Sequence, residues 1–318
     1  MNNIKNTHND SLMQEKILLI SELYYIYKLS QQEISKKLGV SRPWVSKLLK
    51  RAEEIGVVRI EVLSPSAGIV DLEDQIKKKF NIANAKVVQT LSQDRVIQNI
   101  GKAAANYTLS IIKPKDVIGV SWGRSLSAVA EQFVPMHYPE MSVTPILGGL
   151  EINPELLSNQ IAAKIAETLG ANSWILHAPA FTSGESERDI FLKEPSIDNV
   201  IKNCEKVDIV ITGLGSLRGS TIDQAGYITS QEVDELEALG AVGDIALRFV
   251  DVDGNVVSHN IHNRLVACDL SILRKCSRQI IGVASGEDKV EIIRAALKGN
   301  WLDAIITDVS AAEKLLEL

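Results

Sequence analysis

The sequence predicts a two-part chain, with a small all-α module at the N-terminus followed by an α/β domain built on a mostly parallel, Rossmann-like sheet. In the larger part, short and almost wholly apolar runs alternate with helical stretches, which is typical of parallel strands buried under helices on both faces. Residues 1–60 show helix signals instead. The turn-rich segment 64–68, Ser-Pro-Ser-Ala-Gly, separates the two parts. We therefore predict one domain over residues 1–62 and a second over residues 63–318.

The composition predicts a cytoplasmic globular protein. Of the 318 residues, 45% are hydrophobic and 23% are charged, and no apolar run reaches the roughly 18 residues that a membrane-spanning helix needs. The polar start, MNNIKNTHND, lacks the apolar core of a signal peptide. The three cysteines, Cys204, Cys268 and Cys276, are odd in number and widely spaced. We therefore expect reduced thiols, and neither a disulfide framework nor a zinc ribbon.

The net charge of −6 is unevenly divided along the chain. Residues 1–60 hold ten Lys and Arg against six Asp and Glu, whereas the remainder holds 24 against 34. A small basic module on a larger acidic body can attract phosphate groups at one end and remain soluble through the other.

The N-terminal module contains three predicted helices. The first spans residues 12–29, and Ser30 and Glu33 then have the spacing of a capping box that starts a second, short helix. Gly39 permits a sharp turn, after which Ser41 is placed to cap a third helix. Apolar residues line one face of the first and third helices. They are Ile17, Ile20, Leu23, Tyr24 and Tyr27 in the first, and Val45, Leu48, Leu49, Ala52 and Ile55 in the third.

The third predicted helix presents a basic face opposite its apolar one. Two short helices joined by a tight turn, the second with a basic N-terminal face, form the helix-turn-helix pattern, which places that helix in the major groove of DNA. A helical hairpin with a solvated basic face is the alternative. Arg42, Ser46 and Lys47 are candidates for base edges, and Ser41 and Lys50 for phosphates.

Two further segments belong to this prediction. Pro43 and Trp44 complete the predicted DNA-binding set, although packing in the core of the module is the favoured alternative for Trp44. Residues Val57–Val62 alternate like a strand and predict a wing against the helices.

In the larger domain, the loops after four predicted strands are candidates for a ligand site, because ligands of parallel sheets bind at the carboxyl ends of strands. The predicted strands are Lys86–Gln89, Val117–Ser121, Val143–Leu147, Trp174–His177, Val207–Thr212, Ile280–Ala284 and Ala304–Thr307. The loop residues singled out are Ser121, Gly123, Arg124 and Ser125 in the first loop, Gly148 and Gly149 in the second, Gly213 and Gly215 in the third, and Lys289 in the fourth. Glycine, hydroxyl groups and cations at helix starts favour an anion, and we expect all four loops to meet at one crevice.

Other candidate residues have weaker patterns. Asp244 follows a glycine at an element boundary, where it either accepts a hydrogen bond from a sugar hydroxyl or caps a turn. The run from Gly213 to Gly215 begins like a dinucleotide fingerprint, but Arg218 stands where the third glycine belongs, so no nicotinamide cofactor is expected. His259 and His262 lack partners at a metal-binding spacing, and we expect neither a metal nor a cofactor.

Taken together, these motifs resemble the SorC/DeoR-type family of sugar-responsive bacterial regulators over nearly the whole chain. The matching segments are LSQQEISKKLGVSRPWVSKLLKRAEEIGVV, DVIGVSWGRS, the Gly-Gly pair, ITGLGS, AVGDI-x-x-RF-x-D-x-x-G and GEDK…AALKGNWLDAIITD. The resemblance implies operator DNA as a partner, a phosphorylated-sugar effector bound in a domain related to phosphosugar isomerases, and a homo-oligomer, either a dimer or a tetramer. Some relatives carry a lysine before the Gly-Gly pair that forms an imine with the sugar. Leu147 stands there in this chain, so non-covalent binding is expected.

Two alternative functions remain open from the sequence. One is an active phosphosugar isomerase or deaminase with an accessory DNA-binding module, for which Asp208, Asp244, Asp308 and His177 are available as acids and bases. The other is a regulator that responds to a protein partner instead of a small molecule. The sequence shows no compact acid–base constellation, which favours the effector-controlled regulator.

Overall fold

The computed structural model describes residues 13–58, 67–89, 95–150 and 153–318. The chain divides into two compact units, Met1–Pro65 and Ser66–Leu318. No helix among the described residues is long and apolar enough to cross a membrane.

The N-terminal unit is built from three helical segments that share one small core. Helix α1 covers residues 13–21 and runs into a π-helical turn, Glu22–Ile26; it is followed by α2 (Gln31–Leu38) and α3 (Arg42–Glu54). The core residues, all buried, are Ile17, Ile20, Leu23, Ile34, Val45, Leu48, Leu49 and Ala52. Most of the predicted apolar face is therefore confirmed. The inward placement of Tyr27 and Ile55 is wrong, because they follow the π-turn and the last turn of α3 and are 67% and 40% exposed.

The second unit contains a nine-stranded sheet whose central part is parallel. Seven of its strands are β1 Asn84–Val88, β2 Val117–Val120, β3 Ser142–Pro145, β4 Asn172–Ser173, β5 Ile209–Ser216, β8 Gln279–Val283 and β9 Ala304–Asp308. They lie in the order β1-β9-β8-β5-β2-β3-β4, and every neighbouring pair along this path is parallel. The predicted α/β class is thereby confirmed.

Helices cover both faces of this sheet, as the apolar strands require. In β5, Ile209 and Ile211 join one apolar cluster, whereas Val210 between them joins the other. The helices are α4 Ala67–Phe80, α5 Val96–Ile111, α6 Arg124–Gln132, α7 Ser158–Leu169, α8 Glu185–Lys193, α9 Pro195–Lys202, α10 Thr221–Gln224, α11 Ser230–Ala238, α12 Leu270–Cys276, α13 Val290–Lys298 and α14 Val309–Glu317. Helices α5, α6 and α7 lie on one face, and α13 and α14 contribute to the other.

An antiparallel hairpin extends the sheet beyond the end of β5, and the sequence did not predict it. Strand β6 (Ala241–Ile245) pairs with the last residues of β5 and with β7 (Arg248–Asp251). The two-residue turn between them, Ala246-Leu247, has positive φ angles of 48° and 68°. This conformation belongs to a type I′ turn, which usually carries Asn-Gly. The hairpin was therefore not predicted, because its turn lacks the Asn-Gly pair by which such turns are recognised in a sequence.

Three further expectations need correction or fall outside the described residues. The predicted strand Trp174–His177 is wrong, because the strand at this edge covers Asn172–Ser173 and its bonding to β3 ends where the Trp174 amide donates to the Val143 carbonyl. In the predicted wing, Val57 and Val58 are not in a strand, and residues 59–62 lie outside the described residues.

The expectation of unpaired thiols is also wrong for two of the three cysteines. Buried Cys204 and Cys268 form a disulfide with a Cα–Cα distance of 5.9 Å, because the fold packs segments 64 residues apart against each other.

Candidate functional site

The helix-turn-helix geometry predicted for the N-terminal unit is present. Ser30 accepts a hydrogen bond from the Glu33 amide, and the Glu33 carboxylate accepts one from the Ser30 amide, which completes the capping box of α2. Gly39 then adopts the left-handed conformation, with φ 67°, that turns the chain toward α3. The Ser41 side chain caps α3 by accepting from the Trp44 amide.

The outer face of α3 carries the residues predicted to contact DNA. Ser41, Arg42, Pro43, Ser46, Lys47 and Lys50 are all exposed. Trp44 differs, because it is half-buried against the core of the unit and the Lys16 Nζ lies 5.9 Å from its ring centroid. This placement agrees with the packing role that the sequence favoured for Trp44. The remaining residues form an exposed surface that begins at the N-terminus of α3 and carries three cations along it, which is the arrangement of a recognition helix.

In the larger unit, a cavity lies at the carboxyl ends of β2, β5 and β8. Its volume is about 90 Å³. It is lined by Ser121, Trp122, Gly123, Arg124, Ser125, Gly213, Leu214, Gly215, Ser220, Thr221, Ile222, Asp244, Ala246 and Lys289. The structure therefore brings together three of the four predicted loops, and Asp244 with them.

The N-terminus of α6 opens onto this cavity. The Gly123 amide donates to the Leu156 carbonyl, and the first amide to bond within the helix is that of Ser127, which donates to the Gly123 carbonyl. The amides of Arg124 and Ser125 precede that bond, and no side chain caps the helix. Free amides and the positive end of the helix dipole favour an anion, and the exposed Arg124 adds a full charge.

Ser121 has a different position from its neighbours in the same loop. It is buried, and its Oγ accepts from the Gly213 amide at 3.1 Å and lies 3.2 Å from Thr212 Oγ1. These contacts join the loop after β2 to the loop after β5. The Ser121 side chain thus fixes the two cavity loops relative to each other. Because its oxygen accepts in both contacts, the hydroxyl can still donate a hydrogen bond to a ligand.

Asp244 lies on β6 directly opposite Gly215 of β5. Its carboxylate is buried, and Oδ2 accepts from the Leu247 amide at 2.9 Å, so the turn-capping alternative is realised while the residue also lines the cavity. A Cβ atom on Gly215 would overlap Asp244 Oδ1, which explains the glycine. Burial raises the pKa of Asp244, partly offset by the Leu247 amide and by Lys289.

Lys289 provides the second cation of the cavity. Its side chain is 20% exposed, and Nζ lies 4.0 Å from Asp288 Oδ2. Burial lowers the pKa of Lys289; Asp288 and Asp244 counteract this effect and Arg124 adds to it. Arg124 and Asp244 line the same cavity, which therefore holds two cations and one buried carboxyl group.

The second predicted loop is not brought to the cavity. Neither Gly148 nor Gly149 is among its lining residues. Gly148 is buried, its amide donates to the Val266 carbonyl, and a Cβ atom there would overlap the backbone of Ala178 and Pro179. The expectation that all four loops meet at one crevice is therefore wrong for this loop, because here glycine serves close backbone packing.

Six residues that line the cavity were not predicted. Trp122, Leu214 and Ala246 lie in the matching motifs beside predicted site residues, whereas Ser220, Thr221 and Ile222 lie outside those motifs. Ser220 caps the short helix α10 by accepting from the Asp223 amide, so the Ser-x-x-Asp spacing was the available signal.

The two histidines have structural partners in this fold. Nε2 of His262 accepts from the Phe249 amide at 3.0 Å, and burial lowers the pKa of His262 to about 4. Nδ1 of His259 accepts from the Ile261 amide, and its Nε2 lies 3.0 Å from Glu235 Oε2. Within the described ranges there is no cluster of three or more His, Cys, Asp or Glu side chains that could hold a metal ion.

Comparison with known proteins matches both units. The Sugar-bind family model, which describes a sugar-binding domain, matches residues 64–317, and the model of sigma-70 region 4 matches residues 19–54. The sorbitol operon regulator of Klebsiella pneumoniae is 30% identical over 309 residues, covering 95% of this chain and 97% of that protein. The deoxyribonucleoside regulator of Bacillus subtilis is 29% identical over 311 residues, covering 96% and 99%.

Solved structures agree with these matches. The full-length sorbitol operon regulator SorC from Klebsiella pneumoniae superposes with a TM-score of 0.82 at 29% identity, covering 95% of this chain and 98% of that one. A DeoR family transcriptional regulator from Listeria monocytogenes gives 0.71 at 30% identity, covering 78% and 99%. The chain therefore belongs to the sugar-binding-domain family of sugar-responsive transcription regulators that includes SorC.

Proposed function

We propose that this regulator binds operator DNA through the outer face of α3 and is controlled by a phosphorylated sugar or polyol that binds non-covalently in the cavity. The observation that carries the proposal is the meeting of Arg124, Lys289 and the open N-terminus of α6 beside a buried carboxyl group, Asp244. Cations and free amides suit a phosphate dianion, and a carboxyl group suits sugar hydroxyls. The relatives named for sorbitol and deoxyribonucleosides support a ligand of this class.

On the DNA side, Arg42, Ser46 and Lys47 are proposed to reach base edges, and Ser41 and Lys50 to contact phosphates. Arg42→Ala and Lys47→Ala are expected to weaken binding to the specific operator by about 1–3 kcal/mol each and to relax specificity. Lys50→Ala is expected to weaken binding to all sequences alike and to reduce its salt dependence. Fluorescence anisotropy with operator and scrambled duplexes measures both effects. Normal operator binding by both base-edge variants would contradict the assignment of the recognition helix.

On the ligand side, non-covalent binding is proposed because the position of the imine-forming lysine holds Leu147. Leu147 is fully buried and has no nucleophile. Borohydride trapping with deoxyribose 5-phosphate should therefore leave the mass of the protein unchanged. Addition of a sugar to Lys289, the one lysine among the described lining residues of the cavity, would contradict this part of the proposal.

The cavity gives little support to the enzyme alternative. Of the four acids and bases available for isomerase or deaminase chemistry, only Asp244 lines it. Asp208 accepts from the Val117 amide, Asp308 accepts from the Gly286 amide, and His177 is exposed elsewhere. Of these four groups the cavity thus holds one, whereas such a reaction requires both a base and a proton shuttle. Turnover of sugar phosphates by the purified protein would revive that alternative.

Assembly follows from the same proposal. A cytoplasmic homo-oligomer, either a dimer or a tetramer, would pair the helix-turn-helix units, so the operator is expected to be a repeat with half-sites separated by one helical turn of DNA or a multiple of it. Footprinting tests this spacing. Full-affinity binding to a single isolated half-site would count against it.

A further inference from the structure

Two side-chain contacts join α3 to α1 and to the π-turn that follows α1. The Lys16 Nζ lies 5.9 Å from the ring centroid of Trp44. The Tyr25 hydroxyl donates to Glu53 Oε1 at 2.9 Å. We infer that Tyr25, delivered by the π-turn, is a positioning residue that fixes α3 for the reading of operator bases. This inference rests on the proposed use of α3 as the recognition helix and adds a residue outside the predicted DNA-binding set.

The π-turn accounts for the position of Tyr25. Within it, the Tyr27 amide donates to the carbonyl of Glu22, five residues back, so the turn holds about one residue more than a regular α-helical turn. Side chains late in the turn and after it therefore point where the preceding residue would point in a regular helix. Tyr25 thereby packs against the core of the unit together with Tyr24, whereas Tyr27 is turned outward and is 67% exposed.

The π-turn is kept despite its unusual geometry. Such turns are rare inside α-helices and occur frequently at functional sites. The chain leaves this one through Lys28, whose φ of 58° lies in the left-handed region that residues with a side chain rarely adopt. A regular helix would avoid both features but would leave Tyr25 at the edge of its buried face. The contacts that the turn creates therefore maintain it, and they include the bond from Tyr25 to Glu53.

The two contacts lie on opposite flanks of α3. Trp44 and Glu53 are nine residues apart, which is two and a half turns at about 3.6 residues per turn, so the buried face of the helix lies between them. Apolar contacts are not directional, whereas polar contacts on both flanks oppose rotation of α3 about its own axis. Burial, and then the Glu53 carboxylate, raise the pKa of Tyr25 to about 12, so its hydroxyl keeps the proton that it donates.

Rotation of α3 would affect the two kinds of DNA contact differently. Base edges are read by hydrogen bonds of fixed direction, so Arg42, Ser46 and Lys47 must keep their angle in the groove. Phosphate contacts depend mainly on charge and tolerate small displacements of flexible side chains. Loss of the Tyr25 contact should therefore weaken binding to the operator and leave binding to unrelated DNA almost unchanged. A residue that only stabilised the fold would change both alike.

The test is fluorescence anisotropy of the full chain with two duplexes, one that the wild-type protein selects from a random DNA library and a scrambled duplex of equal composition. In Tyr25→Phe the ratio of the two affinities should fall about three- to tenfold, the range of one net hydrogen bond. Glu53→Ala should lower the ratio equally, and the double variant should lower it no further, since both changes break the same bond. The lost charge of Glu53 acts on both duplexes and cancels in the ratio. Glu53→Gln, whose amide oxygen can still accept, should retain most of the ratio.

Tyr27→Phe is the matched control, because it removes the hydroxyl of an exposed tyrosine from the same segment and should not change the ratio. An unchanged ratio in Tyr25→Phe, additive losses in the double variant, or an equal loss of affinity for both duplexes would overturn the inference. Arg42→Ala and Lys47→Ala in the same assay test the proposed function. If they lower the ratio and Tyr25→Phe does not, the inference alone fails; if none of the three lowers it, the proposed recognition helix fails as well.

Discussion

Replacing Gly215 by alanine tests the contact on which the cavity depends. In the antiparallel register Gly215 lies directly opposite Asp244, and the new Cβ would overlap Oδ1 of that side chain. The carboxyl group must then rotate, which breaks its 2.9 Å bond with the Leu247 amide and leaves that buried amide without its acceptor. An unsatisfied buried donor costs about 1–3 kcal/mol, so Gly215→Ala should destabilise the larger unit by about that amount.

Thermal and urea unfolding measure this cost. For a unit of this size, about 1–3 kcal/mol corresponds to a fall in Tm of roughly 2–12 °C. Gly213→Ala is the matched control, because its Cβ would meet the end of the Leu126 side chain at 3.3 Å and the Trp122 carbonyl oxygen at an ordinary contact distance of 3.5 Å. In the Asp244→Ala background the Gly215 substitution should cost almost nothing more, since the overlapping atom is gone. An equal cost in both backgrounds would refute this account of the Gly215–Asp244 pair.

Two further predictions concern stability. His262 has a pKa of about 4 when folded and about 6.5 when unfolded, so the unfolded chain binds more protons between these values, and stability should fall by about 2 kcal/mol from pH 7.5 to 5. Urea unfolding should show that this fall in the free energy of unfolding is lost in His262→Gln and retained in the exposed His177→Gln. An equal pH dependence of stability in the wild type and both variants would contradict the assignment to His262. Ser30→Ala removes the cap of α2 at a cost of about 1 kcal/mol, so α2 amides should exchange about fivefold faster with solvent, whereas the exposed Gln32→Ala should not produce this acceleration.

The N-terminal unit was predicted well because its signals are local. The capping box of Ser30 and Glu33, the left-handed Gly39 and the Ser41 cap each act within five residues. The π-turn after α1 was not predicted, because the spacing of apolar residues does not distinguish it from a regular helix; Tyr27 follows this turn and is exposed. The exposed Ile55 at the end of α3 was also not predicted.

The cavity was predicted in part, because parallel strands bring their carboxyl ends to one edge wherever their order makes them neighbours. β2, β5 and β8 are consecutive in the sheet, and their loops meet. Other features depended on tertiary contacts that no spacing encodes. Gly148 packs against the backbone of Ala178 and Pro179, and the partners of the disulfide are 64 residues apart. The β6–β7 hairpin was missed because Ala246-Leu247 adopts a turn that ordinarily carries Asn-Gly.

Coupling between the cavity and DNA is the central claim, and operator affinity measured at increasing sugar phosphate concentration tests it most directly. Binding at the two sites is linked, so a ligand that controls DNA binding must shift the operator Kd, typically by 5- to 150-fold. We expect such a shift for at least one phosphorylated sugar or polyol with the wild-type protein. Lys289→Ala, which leaves α3 intact, should bind operator normally without ligand but need far more sugar phosphate for the same shift. An operator Kd that no sugar phosphate changes, or that changes identically in Lys289→Ala, would contradict the account.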